Sequence, residues 1–72
     1  MEHIFLHLVQ TQLNKVDLSL DDNFSDMGGN SMDAEMIVTK LNDTYSLNIK
    51  KKYLLKSESL QEFVDLYLTI DT

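Results

Sequence analysis

The 72-residue chain is short, acidic and free of cysteine, and these properties exclude several classes of function. A chain of this length buries only about 60% of the surface that its unfolded form exposes, which leaves little room for an enclosed catalytic cavity. Twelve acidic residues against six basic ones give a net charge of −6, which disfavours nucleic-acid binding and favours basic partner surfaces. Without cysteine there is no disulfide, thiolate metal site or cysteine nucleophile.

No segment of the sequence indicates membrane insertion or export. Residues 1–7 carry no basic segment ahead of a long apolar one, and no apolar segment approaches the roughly 20 residues that cross a bilayer. We therefore expect a cytoplasmic monomer without membrane partners. The position of Met1 directly before the first predicted helix suggests a discrete protein.

The first predicted element is an amphipathic helix over about residues 2–14. Its apolar face has Gln12 as the one polar exception and otherwise consists of Phe5, Leu8, Val9, Leu13 and Val16. The opposite face, which we expect to be solvated, consists of His3, His7, Gln10 and Asn14.

A long polar loop from Asp17 to Asn30 follows this helix. Loops beyond about 12–15 residues are uncommon in compact domains and are usually functional or disordered. Spaced apolar residues predict that this loop is pinned onto the domain: Leu18, Leu20, Phe24 and Met27.

The second predicted helix runs from Ser31 to about Tyr45. Asp33 and Glu35 lie in its first turn, where the helix dipole favours negative charge. Its apolar stripe consists of Ala34, Ile37, Val38, Leu41 and Tyr45.

Two more helices are predicted towards the end of the chain. A short one, from Lys51 to Lys56, contributes Tyr53, Leu54 and Leu55. The last begins with a capping box of Ser59 and Glu62, followed by apolar residues at helical spacing: Leu60, Phe63, Val64, Tyr67 and Leu68. The sequence thus predicts one all-α domain over residues 1–72, a four-helix bundle with three longer helices and one short one.

The segment from Asp26 to Met32 is the main candidate for chemistry. Gly28 and Gly29 allow a sharp turn and a close approach to the backbone. Ser31 follows at the start of a helix, where unpaired N–H groups and the dipole favour an attached phosphate. A hydroxyl in this position is well placed for modification by another enzyme.

Three known motifs fit this segment less well. A nucleophile elbow needs glycine where Asp33 stands, and it needs a preceding strand. A P-loop needs lysine where Asn30 stands, and a calcium loop starting at Asp21 has Met32 where glutamate belongs. An ordinary turn with Asn30 or Ser31 as helix cap remains an alternative.

The sequence resembles the phosphopantetheine-binding carrier family, the acyl and peptidyl carrier proteins, over almost its whole length. Residues 21–32 resemble the family signature of an acidic residue, a buried aromatic and then Leu-Gly-Gly-(Asp/His)-Ser-(Leu/Ile). The second-helix pattern and residues 47–49 also match, and the double glycine is more like peptidyl carriers. Met27, Asn30 and Met32 depart from the usual residues, and Asn30 lacks the charge beside the serine.

This resemblance implies a right-handed four-helix bundle in which Ser31 bears 4′-phosphopantetheine and the chain itself is not an enzyme. The arm would supply the thiol that the chain lacks, and it would hold an acyl or aminoacyl group as a thioester. The implied partners are a phosphopantetheinyl transferase, adenylation or other acyl-loading enzymes, and condensing or transferase enzymes. The implied pathway is of the nonribosomal peptide, siderophore, polyketide or fatty-acid type.

A partner-docking surface is predicted beside Ser31, formed by Asn30, Met32, Glu35 and Met36. With the apolar stripe of the second helix facing inward, the two methionines project on a different side, where flexible side chains suit adaptable docking. The alternative is that both methionines fill gaps in the core.

No specific role is predicted for the remaining ionisable residues. His3 and His7 are spaced four residues apart, but no third ligand is evident, and no metal site is expected. Solvation is the expected state of Lys50, Lys51 and Lys52 and of Asp21, Asp22 and Asp26. The main alternative function is a non-covalent helical adaptor without a prosthetic group, and a hydrolase using Ser31 is a more distant one.

Overall fold

The structure is a computed structural model that describes residues 2–68, and this part of the chain folds into four helices and no strand. They are α1 (Glu2–Leu13), α2 (Ser31–Tyr45), α3 (Lys51–Lys56) and α4 (Leu60–Phe63), which continues as a π-helical turn over Val64–Leu68. The predicted all-α bundle with a long connection between its first two helices is confirmed. None of these helices is long and apolar enough to span a membrane.

The core is a single apolar cluster to which every helix contributes. Helix α2 packs against α1 and α3, while α3 contacts α4 and α1 contacts the π-helical turn. The buried apolar residues are Phe5, Val9, Phe24, Met27, Ala34, Ile37, Val38, Leu41, Leu54, Leu60, Phe63, Val64 and Leu68. The stripe predicted for α2 is therefore confirmed, with Tyr45 half-buried at its end.

Four aromatic rings form a continuous row that joins α1, α3 and the last helix. The Phe5 and Phe63 ring centroids lie 5.0 Å apart, those of Phe63 and Tyr67 5.3 Å, and those of Tyr67 and Tyr53 5.0 Å. Aromatic pairs at such distances add about 0.5–1.5 kcal/mol beyond their buried area, so this row helps to hold α1, α3 and the last helix together.

The first helix covers the predicted residues to within one position, but Val16, which was assigned to its apolar face, is not buried. Asn14 adopts a left-handed backbone (φ 56°), and the Lys15 N–H donates to the Gln10 carbonyl at 3.0 Å, which ends α1. Asparagine tolerates this conformation better than most residues. The chain therefore turns away before Val16, which is 88% exposed.

The end of α2 is closed by a left-handed residue and a side-chain clamp. Ser46 has φ 57° and ψ 43° and donates its N–H to the Asn42 carbonyl. The Asn42 side chain both donates to the Ile49 carbonyl and accepts from the Ile49 N–H, each at 2.9 Å. This clamp holds the extended residues 47–49 against α2.

The last helix differs from its prediction in two details. Ser59 accepts from the Glu62 N–H as a capping residue should, but the Glu62 carboxylate accepts from the Glu58 N–H at 2.8 Å and not from that of Ser59. The helix also widens to π geometry from Val64 onwards. Over five residues the apolar spacing is compatible with either geometry, so the sequence pattern did not distinguish them.

Candidate functional site

Ser31 is the first residue of α2 and is exposed to solvent. Its hydroxyl forms no hydrogen bond within residues 2–68, and neither do the backbone N–H groups of Ser31 and Met32. These N–H groups lie at the positive end of a 15-residue helix. The site therefore combines an accessible hydroxyl with two donors that suit an anion on the same residue.

Asn30, the residue before Ser31, is the N-cap of α2. This agrees with the alternative interpretation of the segment as a turn with a helix cap. The Asn30 side chain accepts from the Asp33 N–H at 2.9 Å, and the Asp33 carboxylate accepts from the Asn30 N–H at 3.3 Å. The Asn30 carbonyl accepts from the Ala34 N–H at 3.0 Å. This reciprocal capping box makes Asn30 the cap and leaves the Ser31 hydroxyl free of a capping role.

The two glycines ahead of Ser31 are required for different reasons. Gly28 has φ 99°, a backbone conformation that other residues rarely adopt. A Cβ at Gly29 would lie 2.5 Å from Cζ and 2.7 Å from Cδ2 of the Phe24 ring, which is 1% exposed. The turn therefore packs its backbone directly on a buried ring, which fixes the approach of the chain to Ser31.

The loop that carries this ring is attached to the start of α4, as the spaced apolar residues predicted in outline. Phe24 and Met27 are buried, and Leu18 and Leu20 pack against the core. The N–H of Leu60 donates to the Asp22 carbonyl at 2.9 Å, and that of Gln61 donates to the Leu20 carbonyl at 2.8 Å. Loop carbonyls thus satisfy N–H groups that a helix start leaves unpaired.

Asn23 is a supporting residue that the sequence analysis missed. Its side-chain oxygen accepts from the Asp26 N–H at 2.9 Å, and its amide nitrogen donates to the carbonyls of Ser57 (3.3 Å) and Glu58 (3.1 Å). The first contact was open to prediction, because asparagine often begins such turns. The other two span more than thirty residues and have no local signal.

The methionines predicted for docking are both on the surface. Met32 is 71% exposed and Met36 49%, so the alternative that they fill core gaps is wrong. They line a groove of about 630 Å³ beside Ser31 together with Glu35, Thr39, Lys40 and Asp43. Asn30 is also exposed but does not line this groove. Glu35 forms an ion pair with Lys51 of α3 at 3.2 Å.

Gln12, the polar exception on the apolar face of α1, contacts the same region. Its amide nitrogen donates to the Asp33 carboxylate at 3.0 Å and lies 3.5 Å from the Met36 sulfur. Gln10, expected on the solvated face, is half-buried and donates to the carbonyls of Val16 and Leu18, where the loop begins.

The other candidate residues are not brought together into a site. His3 and His7 are exposed on α1, and residues 2–68 contain no group of three or more His, Cys, Asp or Glu side chains that could hold a metal ion. Asp21 and Asp26 are exposed, while Asp22 is half-buried and its carboxylate accepts from the Ser19 N–H at 2.9 Å. The lysines at 50, 51 and 52 are exposed on either side of the start of α3.

Comparisons with known proteins identify a family for this chain. A family model described as a phosphopantetheine attachment site matches residues 4–67. Indigoidine synthase of Dickeya dadantii (strain 3937) is 29% identical over 62 residues, which cover 86% of this chain and 4% of that synthase. No solved structure matches the chain. Because the family model covers most of the chain, this protein belongs to the family of phosphopantetheine-binding carrier domains, to which a 4′-phosphopantetheine prosthetic group is attached.

Proposed function

We propose that this chain is an acyl or peptidyl carrier whose 4′-phosphopantetheine is attached at Ser31. The observation that carries the proposal is the exposed hydroxyl of Ser31, which has no hydrogen-bond partner among residues 2–68 and lies at the start of α2 behind a glycine turn. Loading would form an ester bond between this oxygen and the phosphate of the arm, with coenzyme A as donor and its 3′,5′-adenosine bisphosphate part as leaving group. A phosphopantetheinyl transferase would catalyse this step.

The residues around Ser31 fit such an arm. The N–H groups of Ser31 and Met32, which are unpaired within residues 2–68, and the helix dipole favour the negative charge of a phosphodiester on this oxygen. The bound arm supplies a thiol that holds an acyl or aminoacyl group as a thioester, whereas the chain has no cysteine of its own. The chain's own residues would then position and present the arm, and partner enzymes would act on its cargo.

The groove on α2 is the surface that we propose partner enzymes contact. Met32 and Met36 offer flexible apolar contacts, with the Glu35 carboxylate beside them and Asn30 next to the attachment point. A net charge of −6 favours partners with basic surfaces. We propose acyl-loading, condensing and transferase enzymes of a biosynthetic pathway as these partners, and the likeness to part of a synthase supports such a role. The nonribosomal peptide type is the first to test, because the double glycine resembles peptidyl carriers.

Attachment at Ser31 is tested by intact-mass measurement after incubation with coenzyme A and a broad-specificity phosphopantetheinyl transferase. We expect the wild-type chain to gain one phosphopantetheine and Ser31→Ala to gain none. Ser25→Ala, an exposed serine in the preceding loop, is the matched control and should be loaded as the wild type is. If a transferase that is active on another carrier leaves the wild-type chain unmodified, the non-covalent adaptor is the better interpretation.

Docking on the groove is tested with Met36→Asp. Because Met36 is half-exposed, the substitution should leave the helical circular dichroism and the melting temperature close to those of the wild type. We expect kcat/KM for loading by the transferase to fall at least about tenfold, since a charge replaces an apolar contact. Leu66→Asp, at an exposed apolar residue of the π-helical turn, is the control and should leave loading unchanged. Equal kinetics of the two variants would place docking elsewhere.

A further inference from the structure

Gln12 is a polar side chain on the buried side of α1, and its contacts lead to the attachment site. It is half-buried, and its amide nitrogen donates to the Asp33 Oδ1 atom at 3.0 Å. The same nitrogen lies 3.5 Å from the sulfur of Met36. An apolar residue at position 12 could pack on α2 but could not donate a hydrogen bond to the Asp33 carboxylate. Glutamine at this position therefore orients that carboxylate.

The Asp33 carboxylate connects Gln12 to Asn30, the residue before Ser31. Its Oδ1 atom accepts from Gln12, while its Oδ2 atom accepts from the Asn30 N–H at 3.3 Å. Its own N–H donates to the Asn30 side chain at 2.9 Å. A continuous chain of three hydrogen bonds therefore ties α1 to the backbone that leads into Ser31.

We infer that Gln12 and Asp33 are positioning residues for the modification of Ser31, an inference that rests on the proposed attachment there. The first turn of a helix lacks part of its hydrogen bonds and frays most easily. Gln12 holds the Asp33 carboxylate in the orientation that closes the capping box with Asn30. If the transferase binds Ser31 only when the Asn30–Asp33 capping box is formed, only that fraction of the molecules can bind. The apparent KM for loading then rises as this fraction falls.

The test exchanges donor and acceptor across the contact. Gln12→Glu keeps the size of the side chain but removes the donor and places a second carboxylate against that of Asp33. In the double variant Gln12→Glu/Asp33→Asn, the new amide at position 33 donates to the new carboxylate at position 12 and still accepts from the Asn30 N–H. Thr11→Glu, at the exposed neighbour of Gln12, adds the same charge without touching Asp33 and is the matched control.

The measurements are kcat and KM for loading by the transferase, together with amide hydrogen exchange at Asn30 and Asp33. We expect Gln12→Glu to raise KM about fivefold with little change in kcat, and to speed exchange at both amides. The double variant should recover most of the loss, and Thr11→Glu should behave as the wild type. If Gln12→Glu does not fold, Gln12→Met, which keeps the length without donor or charge, replaces it with the same expectation for KM and exchange.

Two results would overturn the inference while leaving the proposed function standing. One is a wild-type KM in Gln12→Glu although the exchange at Asn30 and Asp33 is faster. The other is a raised KM that the double variant does not lower, which would mean that the charge itself disturbs the transferase. An unmodified wild-type chain, by contrast, would refute attachment at Ser31 and the inference with it.

Discussion

The contact between the Gly29 backbone and the Phe24 ring allows a direct test of how the turn before Ser31 is built. Alanine at position 29 would place its Cβ 2.5 Å from Cζ of a ring that is 1% exposed. A buried ring has no free space to move into, because protein interiors are close-packed. The substitution therefore forces either the ring or the backbone before Ser31 to shift.

The expected cost follows from this overlap. Inserting a methyl group into a well-packed site costs about 1–3 kcal/mol. A domain of this size is stable by about 4–11 kcal/mol, at about 0.05–0.15 kcal/mol per residue. With about 4–8 °C per kcal/mol, a loss of about 2 kcal/mol lowers the melting temperature by about 8–16 °C. Gly29→Ala should thus remain folded at low temperature and melt clearly earlier.

A double-mutant cycle separates this contact from a backbone effect. Phe24→Leu removes the ring atoms that meet the new Cβ, so Gly29→Ala should cost at least about 1 kcal/mol less in that background. Gly28→Ala is the matched control, because a Cβ there meets no atom of the described residues within 4 Å and its cost comes from φ 99°. That cost should be the same with either residue at position 24.

The free energies of unfolding are measured by urea denaturation for the wild type, the single variants and the double variants. If Gly29→Ala costs as much beside leucine as beside phenylalanine, the ring contact is not what requires glycine at this position. If Gly28→Ala also couples to position 24, the two glycines act as one unit and their separate explanations are wrong.

Two further predictions concern residues that hold the chain around α2. Asn23→Asp keeps the acceptor for the Asp26 N–H but turns a carboxylate towards the carbonyls that the amide contacted, and it should cost about 1–2 kcal/mol in urea denaturation. A loss below about 0.5 kcal/mol would show that this contact to the start of α4 contributes little. Ser46→Gly should raise the melting temperature by about 2–4 °C, because glycine adopts φ 57° without steric cost. An unchanged or lower melting temperature would contradict this reasoning.

The helices of this protein could be predicted because their evidence is local. Apolar residues at helical spacing mark α1, α2 and the last helix, and the buried residues of α2 are those that the spacing indicated. The apolar spacing gave a wrong prediction at the end of α1, where it conflicts with the backbone conformation. Val16 continues the apolar spacing of α1, but the left-handed Asn14 ends the helix before it. Residue spacing alone does not show where the backbone turns.

The candidate site around Ser31 could be recognised from local sequence, but the residues that support it could not. Gly28, Gly29 and Ser31 lie within four positions, and their order carries the prediction. Asn23 and Gln12 act through contacts to residues more than twenty positions away. A polar side chain in a sequence shows that it needs a partner but not which partner it has. The pattern of α1 alone therefore does not explain why Gln12 lies on its apolar face.

Apolar contacts in the core and polar contacts around Ser31 differ in strength, and this difference determines which measurements are informative for the site. The core is held by buried apolar side chains, each of which contributes about 1.5–3 kcal/mol, whereas one polar contact contributes about 1 kcal/mol net. The turn and cap around Ser31 combine one buried ring, Phe24, with several polar contacts. Loosening Gln12 or Asp33 should therefore alter the presentation of the hydroxyl while the bundle as a whole stays folded. For these residues, loading kinetics and local amide exchange are the informative measurements, and an unchanged melting temperature is no evidence that they are unimportant.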